Sequence, residues 1–242
     1  MNRSSSYVSL LASVLIIALI ACTGNVPVPA PVDPPVVETE KPTDPDPLRY
    51  PDALEAFRTA DSLNPSEPGV LLFVGSSSIR GWKTLAEDLS DYNVLNRGFG
   101  GSHFSDLIYH VESLVFSHEP GAIFVYEGDN DIAWGKSPER VYQDYLKFVQ
   151  MVREKWASTP IYFIAVKPSI ARISMIDEMA KANALILDHT KSDETLHFVD
   201  VFSVMVDESG QPKEEIFGHD GLHMNALGYD LWEAAVKEAL RK

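Results

Sequence analysis

Residues 70–80 read Val-Leu-Leu-Phe-Val-Gly-Ser-Ser-Ser-Ile-Arg, an apolar run that ends in a glycine and three serines. An unbroken apolar run of this length is typical of a strand covered on both faces, because a solvated face would show alternating polar residues. The serines follow directly, at the turn from this strand into a helix. The stretch therefore predicts the first strand, over 70–75, of a buried parallel sheet.

Four further apolar runs predict strands over 92–95, 122–126, 161–166 and 197–201. Helical patterns separate them, the clearest over 138–156, where apolar residues recur at three- and four-residue spacing after Ser137, a candidate N-cap. Similar patterns occupy 174–189 and 226–240. Strands that alternate with helices predict an α/β fold with a central parallel sheet covered by helices on both faces.

Composition limits the possible partners. The chain has 242 residues, of which 45% are hydrophobic, enough for one α/β domain with a sizeable core. It carries 35 acidic and 20 basic side chains, for a formal net charge of −15. Nucleic-acid binding requires clustered Lys and Arg, so we expect no nucleic-acid partner.

The first 21 residues have the features of a targeting segment. Arg3 precedes an apolar run over 8–21 that is too short for a transmembrane helix but long enough for a signal peptide. The run ends in Leu-Ile-Ala-Cys at 19–22, which resembles the bacterial lipoprotein box, and Cys22 is the only cysteine. A secretory peptide that merely happens to contain a cysteine is the alternative. The resemblance implies lipidation of Cys22 and a chain anchored to a membrane of the bacterial cell envelope, facing outside the cytoplasm.

Proline concentrates in the next segment. Eight of the 16 prolines lie between residues 24 and 48. Because proline fixes φ and lacks an N–H, we expect residues 22–49 to form an extended tether without helix or strand. The folded domain is then predicted over 50–242.

Polar residues follow the predicted strands at the positions where parallel sheets place their sites. Ser77 at a strand-to-helix turn is a candidate nucleophile, although serines there also commonly cap helices. The Gly-x-Ser-x-Gly elbow of α/β-hydrolases is absent, because Ile79 replaces its second glycine. Residues 96–102, Asn-Arg-Gly-Phe-Gly-Gly-Ser, could aim an N–H at an oxyanion or form only a tight turn.

Two further blocks have the same ambiguity. Asn130 could donate to a developing negative charge, or it could belong to an Asx turn. Asp220 and His223 lie three residues apart, so the carboxylate could orient the imidazole as a general base. With His219 they could instead bind a metal, but no further ligand cluster accompanies them, so we expect no metal.

Taken in order, the four blocks resemble one family. Gly-x-Ser, Asn-x-Gly-x-Gly-Gly, Gly-x-Asn-Asp and Asp-x-x-His occur between residue 75 and residue 223, in the order typical of the SGNH, or GDSL-like, hydrolase superfamily. The phrases FVGSSSIRGW, NRGFGGS and DGLHMNALGY are most similar to its platelet-activating-factor-acetylhydrolase-like and carbohydrate-acetylesterase-like branch. The resemblance implies a three-layer α/β/α, flavodoxin-like fold.

The resemblance also implies a role for each matching residue. Ser77 would be the nucleophile, His223 its base and Asp220 the group that orients the base. The oxyanion hole would consist of the N–H groups of Ser77 and Gly101 and the side-chain amide of Asn130. The sequence departs from the family at Ser76, where aspartate is usual, and this puts only local hydrogen bonding in doubt.

The expected activity is hydrolysis of carboxylic esters without a cofactor. The resemblance favours short acyl groups, above all acetyl, on a sugar or lipid-like alcohol. The alternatives are a lysophospholipase or thioesterase with longer acyl chains, and a surface binding lipoprotein that has lost catalysis.

Overall fold

The computed structural model describes residues 43–241, so Cys22, the predicted leader and most of the predicted tether lie outside the described residues. Within 43–241 the strands form one sheet in the order β2-β1-β3-β4-β5, and all four neighbouring pairs are parallel. The strands are β1 (Val70–Gly75), β2 (Val94–Gly98), β3 (Pro120–Tyr126), β4 (Ile161–Ile164) and β5 (Leu196–Val199).

The α-helices of the described residues are α1 (Pro51–Leu63), α2 (Ser77–Gly81), α3 (Leu85–Asp88), α4 (Phe104–Tyr109), α5 (Asp129–Ala133), α6 (Pro138–Lys155), α7 (Ile176–Thr190), α8 (Phe202–Met205) and α9 (Ala226–Leu240). Short 3₁₀ helices cover Pro47–Arg49, Ile170–Met175 and Glu214–Ile216, and a π-helical turn covers Glu112–Phe116. None of these helices is long and apolar enough to cross a membrane.

The sheet separates two apolar cores. On one face Leu72 and Val125 of the sheet pack with residues of α4, α6 and α7. On the other face Phe73 and Phe124 pack with residues of α2, α3 and α9, including Trp232. Every residue of β1 is buried, as its continuous apolar run predicts. The predicted three-layer α/β/α architecture with a central parallel sheet is therefore confirmed, and the strand order is that of flavodoxin-like folds.

The second strand lies later in the chain than predicted. The expected range was 92–95, whereas β2 runs over Val94–Gly98 and includes the polar residues Asn96 and Arg97. Polar residues are accommodated in this edge strand because the side chains of both find hydrogen-bonding or charged partners. The Asn96 amide donates to the Ile79 carbonyl at 2.7 Å, and the Arg97 guanidinium forms an ion pair with Asp61.

The predicted helix ranges agree with the structure more closely than the predicted range of β2 does. The Ser137 hydroxyl accepts from the Arg140 N–H at 3.2 Å and so caps α6, whose observed range ends one residue before the predicted 156. The helix predicted over 174–189 is α7, which begins at Ile176 after a 3₁₀ turn. The last predicted helix matches α9.

The end of the predicted tether packs against the folded domain. Proline suits the first position of a helical turn, where no N–H is required, and residues Pro47–Arg49 form a 3₁₀ helix. The expectation that the tether has no helix as far as residue 49 is wrong at this point. Arg49 donates to both carboxylate oxygens of Asp106, and the Trp134 indole donates to the Thr43 carbonyl at 3.0 Å.

Candidate active site

Ser77 is the first residue of α2, directly after the end of β1. Gly75, with φ +128°, makes this close turn possible, because a Cβ there would collide with the Tyr126 carbonyl of β3. Ser76 and Ser78 are buried, at 0% and 2% exposure, whereas Ser77 is half-buried. Of the three serines, only Ser77 therefore presents its side chain at the carboxyl edge of the sheet. As the first residue of a helix, it also has an N–H without an acceptor inside that helix.

His223 bridges Ser77 and Asp220. Its Nε2 lies 2.9 Å from Ser77 Oγ, and its Nδ1 lies 2.7 Å from Asp220 Oδ2. A carboxylate only accepts, so Nδ1 carries the hydrogen and a neutral ring leaves Nε2 as an acceptor for the Ser77 hydroxyl. The structure thus brings all three predicted triad residues together. Both ring nitrogens of His223 are engaged in these contacts.

Asp220 is fixed by its own loop. Its Oδ1 accepts from the main-chain N–H groups of Leu222 and His223, at 3.0 and 2.9 Å. The bond from His223, together with these two N–H donors, holds the pKa of Asp220 well below its usual range. The carboxylate therefore stays ionised and keeps the imidazole in one tautomer.

Asn130 lies on the other side of the site, in the first turn of α5. Its Nδ2 donates to the Ser102 carbonyl at 2.9 Å, and its Oδ1 accepts from Arg172 Nη2 at 2.9 Å. Gly128, with φ +118°, allows the chain to turn just before it. One hydrogen of the amide remains for a further acceptor.

Gly101 is exposed and lies next to the buried Ser102, in the loop after β2. It has φ +76°, a left-handed conformation that favours glycine, and a Cβ there would meet nothing within 4 Å. The loop is joined to β1, because the Phe99 N–H donates to the Gly75 carbonyl at 2.8 Å. The glycine loop and Asn130 are therefore joined to each other, and the loop is joined to the strand that ends just before Ser77.

Among residues 43–241, no group of three or more His, Cys, Asp or Glu side chains is arranged to hold a metal ion.

Comparison with known proteins identifies the family. Residues 65–231 match the model of the GDSL-like Lipase/Acylhydrolase family. The match covers more than half of the chain. The chain belongs to this family. As the family's description states, its members are acylhydrolases, which cleave carboxylic esters.

Solved structures related to this GDSL-like hydrolase share its fold. A Streptococcus pneumonia protein described provisionally as a platelet activating factor is 22% identical, with TM-score 0.69 over 78% of this chain and 91% of the other. A GDSL-like lipase from Bacteroides thetaiotaomicron is 18% identical, with TM-score 0.66 over 78% and 97%. A family 3 carbohydrate esterase from Clostridium thermocellum is 12% identical, with TM-score 0.58 over 72% and 96%.

The N-acylneuraminate cytidylyltransferase of Escherichia coli is a curated relative, 24% identical over 176 residues. The match covers 71% of this GDSL-like hydrolase but only 40% of that protein, so this chain spans less than half of the relative's length.

Two cations of this GDSL-like hydrolase were missed by the sequence predictions. Lys167, 1% exposed, donates to the Leu222 carbonyl beside His223 at 2.8 Å. Arg172 contacts Asn130 and also lies 3.0 Å from Asp129. Both follow β4, and the rule that sites form at the carboxyl ends of strands could have drawn attention to them.

A buried polar network lies behind the Asn130 side of the site. The Ser102 hydroxyl donates to Glu127 Oε1 at 2.6 Å, and burial raises the pKa of Glu127 well above its usual range. Lys136 Nζ lies 2.8 Å from Asp131 Oδ1. Burial raises the pKa of Asp131 to about 6, while Lys136 opposes this shift. These fully buried groups come from different segments and fix the loops on which Gly101 and Asn130 lie.

Proposed function

We propose that the chain is a serine esterase that uses Ser77, His223 and Asp220 as a triad and acts on short-acyl, above all acetyl, esters of a sugar or lipid-like alcohol. The observation that carries the proposal is the continuous chain of contacts from Asp220 through His223 to Ser77 Oγ, at 2.7 and 2.9 Å. Such a chain is the arrangement by which a base activates a serine.

The proposed reaction has two halves. Ser77 Oγ attacks the ester carbonyl while its proton passes to His223 Nε2. The negative charge on the former carbonyl oxygen accepts hydrogen bonds from the N–H groups of Ser77 and Gly101 and from Asn130 Nδ2. The tetrahedral intermediate collapses, the C–O bond to the alcohol breaks, and His223 gives the alcohol its proton. Water then attacks the acyl-enzyme by the same path, which releases the acid and free Ser77.

Preference for small acyl groups is supported by the openness of the site. The side chains of Asp220 and His223 are 39% and 42% exposed, so the triad lies near the surface. A carbohydrate esterase and a platelet-activating-factor-related protein among the structural relatives agree with an ester of a sugar or lipid-like alcohol. One observation favours longer acyl chains: Ile170, 38% exposed, offers apolar surface next to Gly221 of the histidine loop.

Hydrolysis of p-nitrophenyl acetate, butyrate and octanoate tests both the mechanism and the acyl length. We expect kcat/KM to be highest for the acetate and to be lost in Ser77→Ala, while Ser76→Ala and Ser78→Ala retain clear activity. Highest kcat/KM on the octanoate would favour the lysophospholipase or thioesterase alternative. Full activity in Ser77→Ala would contradict the triad.

We further propose that Cys22 is lipidated and anchors the enzyme to a membrane of the cell envelope, outside the cytoplasm. The lipobox-like Leu-Ile-Ala-Cys at 19–22 supports this, and no other cysteine could take the lipid. Cys22→Ser is expected to move the protein from the detergent phase to the aqueous phase in a phase-partition assay. Unchanged partition of that variant would rule out the anchor.

A further inference from the structure

The loop after β4 connects the two sides of the proposed site. Towards the histidine, Lys167 Nζ donates to the Leu222 carbonyl at 2.8 Å, and the Ala171 N–H donates to the Gly221 carbonyl at 3.0 Å. Towards the oxyanion hole, Arg172 Nη2 donates to Asn130 Oδ1 at 2.9 Å. One short segment therefore contacts both the loop that carries the base and the side chain proposed to hold the oxyanion.

We propose that Arg172 is a positioning residue that sets the orientation of the Asn130 amide; this inference rests on the proposed role of Asn130. A guanidinium can only donate hydrogen bonds, and the Ser102 carbonyl can only accept them. Between these partners Asn130 must turn Oδ1 towards Arg172 and Nδ2 towards Ser102. The second N–H of Nδ2 is then the group left to face the substrate oxygen.

The opposite orientation of the amide would damage catalysis. It would place Oδ1, with its partial negative charge, where negative charge develops in the transition state. Arg172 disfavours that state because its Nη2 would then face an amide N–H₂, a donor against a donor. Its full positive charge beside Oδ1 also polarises the amide and so strengthens Nδ2–H as a donor.

Arg172 is itself held in place. Its Nη1 lies 3.0 Å from Asp129 Oδ2, and the same oxygen lies 3.8 Å from Lys167. Asp129 is buried, with its side chain 6% exposed, and it directly precedes Asn130. One planar guanidinium thus donates a hydrogen bond to Asn130 through Nη2 and forms an ion pair with Asp129 through Nη1. A lysine ammonium cannot reproduce this geometry.

A double-mutant cycle separates this role from general support of the fold. We expect Arg172→Ala to lower kcat about 10-fold, less than the ~10²–10³-fold cost of losing an oxyanion donor outright, and to leave KM within about twofold. If Arg172 acts through Asn130, adding Arg172→Ala to Asn130→Ala lowers kcat by no more than about twofold further. An undiminished 10-fold loss in that background would overturn the proposal.

Chemical rescue gives a second, independent test. Arg172 is 17% exposed on its side chain, so guanidinium ion can enter the space left by Arg172→Ala. Millimolar guanidinium chloride should raise kcat of Arg172→Ala but not of the double variant. Arg172→Lys, which keeps the charge beside Asp129 and guards against a folding defect, should stay impaired in kcat with a near-normal melting temperature. Wild-type kcat in Arg172→Lys would contradict the proposal.

Arg153→Ala is the matched control, because Arg153 binds the Thr159 carbonyl at 2.7 Å near the start of β4, at the opposite end of the sheet. It should leave kcat and its response to guanidinium unchanged; an equal kcat loss in this variant would assign the Arg172 effect to general loss of structure. Failure of the proposed function is recognised separately, by activity in Ser77→Ala.

Discussion

The two sides of the proposed site are built in different ways. On the base side, the side chains of Asp220 and His223 are about 40% exposed and are held by hydrogen bonds that span at most three residues, apart from the contact with Ser77. The main chain of their loop also accepts hydrogen bonds from Lys167 and Ala171 in a distant segment. On the oxyanion side, the Gly101 and Asn130 loops rest on buried groups from distant segments, such as the Ser102–Glu127 pair, 25 residues apart. The comparison therefore separates catalytic side chains that are exposed and locally held from catalytic groups whose position depends on the buried core.

Removing the base should have the largest effect on rate and little effect on stability. His223→Ala is expected to lower kcat by about 10⁴-fold or more, because Ser77 loses the group that accepts its proton. The free energy of unfolding should change by no more than about 1 kcal/mol, because the contact of His223 with Asp220 is exposed to solvent. Steady-state kinetics and urea denaturation of one preparation measure both. A large loss of stability in His223→Ala would contradict the claim that the base side contributes to rate and little to stability.

Breaking the buried network should instead unfold the oxyanion side. Lys136 has a fully buried side chain that contacts Asp131, Asp144 and Asp44. Lys136→Met leaves the buried Asp131 without its cation, whereas Asp44 and Asp144 keep their ion pairs with Arg140. The substitution should cost about 3–5 kcal/mol of stability. The matched control is Lys191→Met, which removes an exposed ion pair with Asp188 and should cost less than about 1 kcal/mol. Equal melting temperatures for the two variants would contradict the account.

Asn130 should affect rate more than substrate binding. Asn130→Ala is expected to lower kcat by about 10²–10³-fold, or about 3–4 kcal/mol, with little change in KM, because the oxyanion forms only after binding. Asn130→Asp should be at least as damaging, although it is nearly isosteric, because it places negative charge where negative charge develops. Near-normal kcat in Asn130→Asp would return Asn130 to the role of a turn residue.

The smallest predicted difference concerns acid stability on the oxyanion side. Burial, together with Lys136 and Arg49, lowers the pKa of His103 to about 4. The unfolded chain binds this proton near pH 6.5 and the folded protein only near pH 4, so stability falls as the pH drops through that window. His103→Asn, which keeps a good N-cap for α4, should remove about 2–3 kcal/mol of the acid sensitivity between pH 7 and pH 4. The control is His219→Asn at an exposed position, which should leave the acid sensitivity unchanged. Identical profiles of stability against pH for the two variants would contradict the role of buried His103.

The same contrast explains what sequence could predict. The apolar run of β1 and the helical spacing of α6 depend on local patterns, and both were predicted closely. The spacing of Asp220 and His223 suggested a pair, because residues i and i+3 meet through local geometry, but a metal site with His219 remained the alternative. Ser77, Gly101 and Asn130 were each ambiguous until their order resembled a known family.

Contacts between distant segments escaped prediction. Arg172 reaches Asn130 across 42 residues, and Arg140 reaches Asp44 across 96. Neither pairing has a local sequence pattern, because each depends on how distant segments pack together. The prolines before residue 50 predicted only an extended segment. Its charged side chains Asp44 and Arg49 form the ion pairs by which it packs on the domain.

The central claim is that Ser77 is the activated nucleophile, and covalent labelling tests it most directly. A fluorophosphonate should form one adduct on the wild-type protein, and fragmentation of the peptide that contains Ser76, Ser77 and Ser78 should place it on Ser77. Labelling should slow strongly in His223→Ala and disappear in Ser77→Ala, while Ser76→Ala labels at the wild-type rate. An adduct on another residue, or undiminished labelling of Ser77→Ala, would contradict the account.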